Sequence, residues 1–145
     1  MAIGFLVLLC SVPVACFAGL GGKAASVSDD QSRLQASVKV TSRGLYQVHE
    51  LRTPSGNVVR EFVSPSGNVF GVAWTGRRIP DYSQLLGSYA DHITKAAQSR
   101  RDHRAPLTIS EPEFVFSSFG HMRFYSGRAY IPGLMPSGVS PQEVK

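Results

Sequence analysis

The sequence contains only two cysteines, and both lie within its first sixteen residues. Residues 19–145 therefore have no disulfide, cysteine-ligated zinc site or thiolate nucleophile of their own. Charged residues are also scarce, at 17%, and a hydrophobic share of 43% is too high for a disordered chain. A length of 145 residues excludes a large multidomain enzyme and allows one compact domain.

Charge is absent from the first 18 residues, MAIGFLVLLCSVPVACFA, which are almost all apolar. This run predicts a secretory signal peptide over residues 1–18, cleaved after Ala18. One alternative is a retained membrane anchor, although a spanning helix needs about 20 apolar residues and this run contains Pro13. The other alternative is lipidation of Cys16, which Pro13 disfavours. The interpretation that we adopt is export to the periplasm or the cell exterior.

Composition divides the remaining chain into three parts. Residues 19–35 are rich in Gly, Ser, Ala and Asp, show no hydrophobic period and are predicted to form a flexible lead-in. Residues 36–131 are predicted to form a single α+β domain. Residues 132–145 contain three prolines and are predicted to form an irregular C-terminal tail.

A short internal repeat is the most informative local feature. The segment TPSGNV at 53–58 recurs as SPSGNV at 64–69. Each copy is typical of a tight turn, in which proline presets one backbone angle and glycine adopts the left-handed conformation. The predicted turn residues are Pro54, Gly56, Pro65 and Gly67. A repeat of eleven residues fits one strand and one turn, so residues 45–75 are predicted to form a three-stranded antiparallel β-meander.

The turns also predict which residues face each other across the strands. The first turn places Glu50 opposite Arg60 and His49 opposite Glu61, so opposite charges meet at Glu50 and Arg60. The second turn places Phe62 opposite Phe70. An earlier strand at about 36–41 is predicted to pair with residues 45–52.

A helix is predicted after Pro80, because apolar residues recur at helical spacing over about residues 82–99. Asp81 and Gln84 resemble a capping box at its start. Gly87 within this helix indicates close packing against the sheet. We expect the amphipathic helix to cover one face of the sheet.

A C-terminal β-hairpin is predicted within about residues 113–131. Its strands read as 114–119 and 122–130, joined by a two-residue turn at Gly120-His121. This register would place Phe116 opposite Tyr125 and Glu113 opposite Arg128. The predicted fold class is therefore α+β, with a meander, then a helix, then a hairpin.

Patterns for catalysis and metal binding are weak. The four histidines, His49, His92, His103 and His121, lack the spacing of a metal site, and we predict no metal, cofactor or catalytic residue. No GxSxG motif occurs. A small periplasmic hydrolase that uses His49 or His121 stays an alternative to a non-enzymatic protein.

The positive charge is concentrated in clusters of arginine. The net charge is +5, and an exported basic protein is expected to meet acidic polysaccharide or lipid head groups rather than nucleic acid. A protein partner in the cell envelope is the other expectation, including an assembly joined through a sheet edge. The candidate anion-binding residues are Arg77, Arg78, Arg100, Arg101, Arg104, Arg123 and Arg128.

Five segments together carry a family resemblance: VHE at 48–50, TPSGNVVR at 53–60, SPSGNVFGVAW at 64–74, LLG at 85–87 and HMRFYSGRAY at 121–130. On these segments the chain resembles a family of exported bacterial proteins that contain domain of unknown function 2844. The resemblance implies export in a Gram-negative bacterium. It implies no named activity and assigns no catalytic residue.

Overall fold

The structure is a computed structural model, and it describes residues 19–102 and 105–145, apart from the side chains of Ser26 and Asp29. The predicted signal peptide, its cleavage site, His103 and Arg104 lie outside the described residues. None of the helices in the described part of the chain combines the length and apolar character needed to cross a membrane.

One antiparallel sheet organises the described residues. Its seven strands lie in the order β1-β2-β3-β4-β7-β6-β5. The strands are β1 Ser37–Ser42, β2 Gln47–Arg52, β3 Val58–Val63, β4 Val69–Gly76, β5 Leu107–Ser110, β6 Val115–His121 and β7 Phe124–Tyr130. The helices are α1 Ser26–Leu34, α2 Tyr82–Leu86 and α3 Ala90–Ser99, with short 3-10 helices at Gly87–Tyr89, Pro132–Leu134 and Pro141–Glu143. The predicted α+β class is confirmed.

The meander over residues 45–75 is present as strands β2 to β4. Glu50 lies opposite Arg60 and His49 lies opposite Glu61, as the first turn predicted. In both turns the glycine has a positive φ, +83° at Gly56 and +79° at Gly67. The strand predicted before the meander is β1, and it pairs with β2.

The register after the second turn is shifted by one residue from the prediction. Phe62 lies opposite Gly71 rather than Phe70, because a β-bulge between Phe62 and Val63 adds one residue to β4. The bulge directs both Phe70 and Gly71 to one face, where a Cβ on Gly71 would lie 3.0 Å from Val144. Glycine therefore makes room for the C-terminal tail.

The predicted helix occupies Tyr82 to Ser99 but is broken at Gly87. Asp81 caps it as expected, since its carboxylate accepts hydrogen bonds from the backbone N–H groups of Ser83 and Gln84. The Ser83 hydroxyl also donates to this carboxylate at 2.6 Å, and this bond, followed by the two backbone bonds, lowers the pKa of Asp81. The capping box is incomplete, because the Gln84 side chain donates to Asp30 instead.

The two faces of the sheet are covered differently. The helix face, against which α1, α2 and α3 pack, holds the larger core, with Leu51, Trp74, Leu86 and Phe116. The opposite tail face is covered by residues 132–145 and holds a second core, with Tyr46, Phe62, Phe70 and Val144. The tail contains two short 3-10 helices, and Val144 is completely buried. It is therefore a packed part of the fold.

The prediction of a flexible lead-in over residues 19–35 is wrong for its second half, which forms α1. Leu20, Val27 and Asp30 are buried. The segment before α1 is bonded to the second turn, with Ala24 donating to the carbonyl of Gly67 at 2.8 Å and Gly21 to that of Val69 at 2.8 Å. The helix lacks a strong hydrophobic period because one of its buried positions is an aspartate.

The C-terminal hairpin is present, but its predicted turn and register are wrong. The turn residues are Met122 and Arg123, not Gly120 and His121. Phe116 consequently lies opposite Ala129, and Arg128 lies opposite Ser117. Gly120 belongs to β6 and lies opposite Tyr125. The Tyr125 ring occupies the space beside it, since a Cβ on Gly120 would lie 2.6 Å from that ring.

Candidate functional site

The turn of the C-terminal hairpin lies at one end of the sheet, which we call the hairpin end. Gly76, the last residue of β4, lies opposite Tyr125 near the start of β7. Residues 77–79 therefore leave the sheet directly beside the Met122-Arg123 turn. The hairpin end comprises residues 77–79 and 119–125.

Large apolar side chains are exposed at the hairpin end. Met122 is 87% exposed, Ile79 56%, Phe124 52% and Phe119 47%. Only two other large apolar side chains in the described residues, Val40 and Leu45, are as exposed. Soluble surfaces seldom gather such residues at one place unless something covers them.

Arginines lie among these apolar side chains. Arg77, Arg78 and Arg123 are exposed, and the structure shows no ion pair for any of them within residues 19–102 and 105–145. The backbone N–H of Arg77 donates to the Asn57 side chain at 3.0 Å, which fixes the path of this segment. The hairpin end thus combines positive charge that is not neutralised within the described fold with apolar side chains that are not buried.

The residues of the hairpin turn are unusual for its backbone conformation. Met122 has a φ of +46° and Arg123 a φ of +65°. A hairpin turn with two positive φ angles normally contains Asn-Gly, because other side chains are strained in this conformation. Strained residues that persist in a fold point to a function for their side chains.

A groove of about 720 Å³ runs from the hairpin end along α3. Ile79, Phe119 and Tyr125 line its outer part, and Ile93 and Leu107 line its inner part. Arg100, at the end of α3, also lines the groove. The next predicted residue, Arg101, is exposed.

Arg128 does not belong to this group. It lies half-buried in β7 on the tail face, and its guanidinium donates to the carbonyl of Pro141 at 3.0 Å. It also approaches the carbonyl of Val144 at 3.5 Å. Its prediction as an anion-binding residue is therefore replaced by a structural role, which is to hold the tail. Arg104 lies outside the described residues.

Sequence reasoning missed a second basic groove, which lies on the tail face beside β1 and β2. It measures about 760 Å³, and its cations are Lys39, Arg43, Arg60 and Lys145. Two carboxylates oppose them, since Glu50 accepts from Arg60 at 2.8 Å and Glu143 accepts from the Tyr46 hydroxyl at 2.6 Å. Its charge is thus partly neutralised within the fold.

The hydrogen bonds of Glu50 and Tyr46 shift the pKa values of these two side chains. Burial alone would raise the pKa of Glu50, but the hydrogen bonds from Arg60 and Arg52 lower it below its ordinary value. Burial, followed by the Glu143 hydrogen bond, raises the pKa of Tyr46. These groups are committed to holding the sheet and tail together.

The two candidate histidines, His49 and His121, have different surroundings. His49 is half-buried, which lowers its pKa, and its hydrogen-bond contact is the Gln47 side chain at 3.4 Å. His121 is exposed at the end of β6. No serine hydroxyl hydrogen-bonds to either of them in the described part of the chain, and no three His, Cys, Asp or Glu residues there are grouped to hold a metal ion.

A buried pair of carboxyl groups is the other feature that sequence reasoning missed. Glu61 on β3 is completely buried and faces Asp30 on α1, which is 1% exposed. The Gln84 amide donates to Asp30 at 3.4 Å. Burial, followed by the negative charge of Asp30, raises the pKa of Glu61 to about 8. At neutral pH Glu61 is therefore protonated in the folded protein.

Comparison with known proteins gives one match. The model of a family described as "Protein of unknown function (DUF2844)" matches residues 16–144, nearly the whole chain. No curated protein and no solved structure matches the chain significantly. The residues that the family model covers include the meander, the helices, the hairpin end and the tail. The chain belongs to the DUF2844 family.

Proposed function

We propose that the protein is an exported, non-enzymatic envelope protein that binds anionic lipid head groups through its hairpin end. The observation that carries the proposal is the exposed Met122-Arg123 turn, with Phe119, Phe124 and Ile79 around it. The expectation of export comes from the apolar, uncharged residues 1–18.

A lipid surface fits this combination better than a dissolved acidic polymer does. A polymer such as heparin would contact the arginines and gain little from exposed methionine and phenylalanine. A bilayer interface offers phosphate groups to the arginines and an acyl boundary to the apolar side chains. Aromatic side chains are also typical of the boundary between head groups and acyl chains.

Two contributions determine the expected affinity for a membrane: the charge of the arginines and the burial of the apolar side chains. Each arginine near an anionic membrane surface contributes about 1 kcal/mol, and the contribution falls as salt screens the charge. A buried methionine or phenylalanine side chain contributes about 1.5–3 kcal/mol. The hairpin end therefore supports reversible binding that depends on both anionic lipid and apolar contact.

Vesicle sedimentation tests the proposal with the full chain. Vesicles that contain phosphatidylglycerol should retain the protein at low salt, and vesicles of phosphatidylcholine alone should not. Arg123→Glu and Met122→Ser should each weaken retention about tenfold, since each removes roughly 1.4 kcal/mol or more. Arg43→Glu is the matched control, because it makes the same charge change in the β1–β2 turn at the opposite end of the sheet.

Three outcomes would overturn the proposal. The first is equal retention by anionic and neutral vesicles, and the second is an equal loss for Arg43→Glu and Arg123→Glu. In the third, Met122→Ser leaves binding unchanged while heparin retains the protein. That result would assign the arginines to an acidic polymer instead.

A further inference from the structure

The two edges of the sheet are not equally protected. The edge strand β5 has four residues and lies against α3, whereas the edge strand β1 has six residues. Within β1, Ser37, Lys39, Val40 and Ser42 are exposed, and Val40 is 54% exposed. An open edge of this length presents backbone groups that can pair with another strand.

The hydrogen-bond pattern shows which backbone groups of β1 point outward. The N–H of Arg43 donates to the carbonyl of Tyr46 at 2.8 Å, so these two residues form a hydrogen-bonded pair. In an antiparallel ladder such pairs alternate with pairs that are not bonded to each other. The N–H and C=O groups of Val38, Val40 and Ser42 therefore point away from β2, toward the open edge.

The outward backbone groups of β1 in one copy can pair with the same groups in a second copy. If a second copy pairs antiparallel with Val40 opposite Val40, then Val38 lies opposite Ser42 and Ser42 opposite Val38. All three pairs are then of the hydrogen-bonded kind, with two bonds each. The same register places the exposed Val40 side chains against each other on the helix face.

The charged residue of β1 does not oppose this register. Lys39 lies on the tail face, because side chains alternate along a strand and Val40 lies on the helix face. Across the two-fold axis Lys39 lies opposite Thr41 rather than opposite the Lys39 of the second copy. The like-charge contact that usually protects an edge strand is therefore avoided.

We infer that two copies of this chain associate through antiparallel pairing of β1 with β1, centred on Val40, so that their two sheets become continuous. The contact is a single strand pair, so the dimer dissociates on dilution. The inference does not depend on the proposed lipid binding, because β1 and the hairpin end lie on different parts of the sheet.

Sedimentation equilibrium of the full chain tests the association itself. The wild type should change from monomer to dimer as its concentration rises. Val40→Lys places two positive charges opposite each other and should raise the dimer dissociation constant about tenfold or more. Since Val40 is mostly exposed, the thermal unfolding curve should be unchanged. A chain that stays monomeric at its solubility limit, or a dimer that Val40→Lys leaves unchanged, would overturn the inference.

Cysteine cross-linking tests the register. In a chain that carries Cys10→Ser and Cys16→Ser, Val40→Cys should form an intermolecular disulfide on mild oxidation, because the two Cα atoms would lie about 5.5 Å apart. Lys39→Cys is the control, since its own counterpart would lie beyond the reach of about 7 Å. Equal cross-linking of the two variants would contradict the register.

Discussion

The two ends of the sheet differ in what covers them. At the anchored end, the second Pro-Ser-Gly-Asn turn is bonded to residues 21–24, and the buried Leu20 side chain lies beside this segment. At the hairpin end, Met122 and Phe124 are exposed and no described segment folds over them. The chain therefore covers the second Pro-Ser-Gly-Asn turn and leaves the Met122-Arg123 turn open, although both are tight turns. The difference indicates that the apolar side chains of the hairpin end have a use outside the fold.

The largest effect should come from truncating an apolar side chain at the anchored end. Leu20→Ala should lower the free energy of unfolding by about 2–5 kcal/mol, because Leu20 is 6% exposed and its loss leaves a cavity. Met122→Ala, the matched change at the hairpin end, should alter stability by less than about 0.5 kcal/mol. Urea unfolding of both variants measures the two values. Equal losses would show that the hairpin end is also part of the core.

The carboxyl pair under α1 predicts a dependence of stability on pH. Glu61 is protonated in the folded protein up to a pKa of about 8, but it ionises near 4.5 when exposed in the unfolded chain. Between these values the folded state holds one extra proton, so the free energy of unfolding should fall by about 1.4 kcal/mol for each unit of rising pH. Below about pH 4.5 and above about pH 8 this slope should vanish.

Glu61→Gln sharpens this prediction, because its amide cannot ionise. Chemical unfolding across the range should show a flatter pH profile for this variant than for the wild type. Hydrogen exchange would show whether α1 is the element that loosens as the pH rises. A wild-type free energy of unfolding that rises from pH 5 to pH 8 would contradict the protonation of Glu61 in the folded protein.

The smallest effect concerns the strained turn at the hairpin end. Arg123→Gly should raise the free energy of unfolding by about 1 kcal/mol, because glycine adopts a positive φ without strain. The same change should weaken the retention of the protein on phosphatidylglycerol vesicles. Thermal unfolding and vesicle sedimentation measure the two effects. A variant that gains stability and keeps its full binding would show that Arg123 has no part in the proposed contact.

The sequence predicted the parts of the fold that local chemistry determines. The first turn predicted the register of β2 and β3, and Asp81 predicted the start of the helix. The bulge at Phe62 was not predicted, because no local pattern reports that Gly71 packs beside Val144 of the distant tail. The hairpin turn was assigned to the wrong residues because Gly120 resembles a turn glycine, whereas it makes room for the Tyr125 ring.

The candidate site was predicted in outline only. Arg77, Arg78 and Arg123 were predicted to bind anions, and this stays a prediction; no local pattern indicated that Arg123 lies near the other two. Arg128 was misjudged because its partners are tail carbonyls, which are separated from it by more than ten residues. Glu61 and Asp30 meet only when α1 packs on the sheet, and no local pattern reports this contact.

If the hairpin end, and not the anchored end, contacts anionic membranes, probes placed at the two ends should respond differently to vesicles. The most direct measurement attaches a polarity-sensitive fluorophore at Met122→Cys or at Ser66→Cys, in a chain that carries Cys10→Ser and Cys16→Ser. On addition of phosphatidylglycerol vesicles, the fluorophore at position 122 should shift to the blue and be quenched by a lipid-borne quencher, and the fluorophore at position 66 should not change. The same response at both positions, or a response at position 66 alone, would contradict membrane contact through the hairpin end.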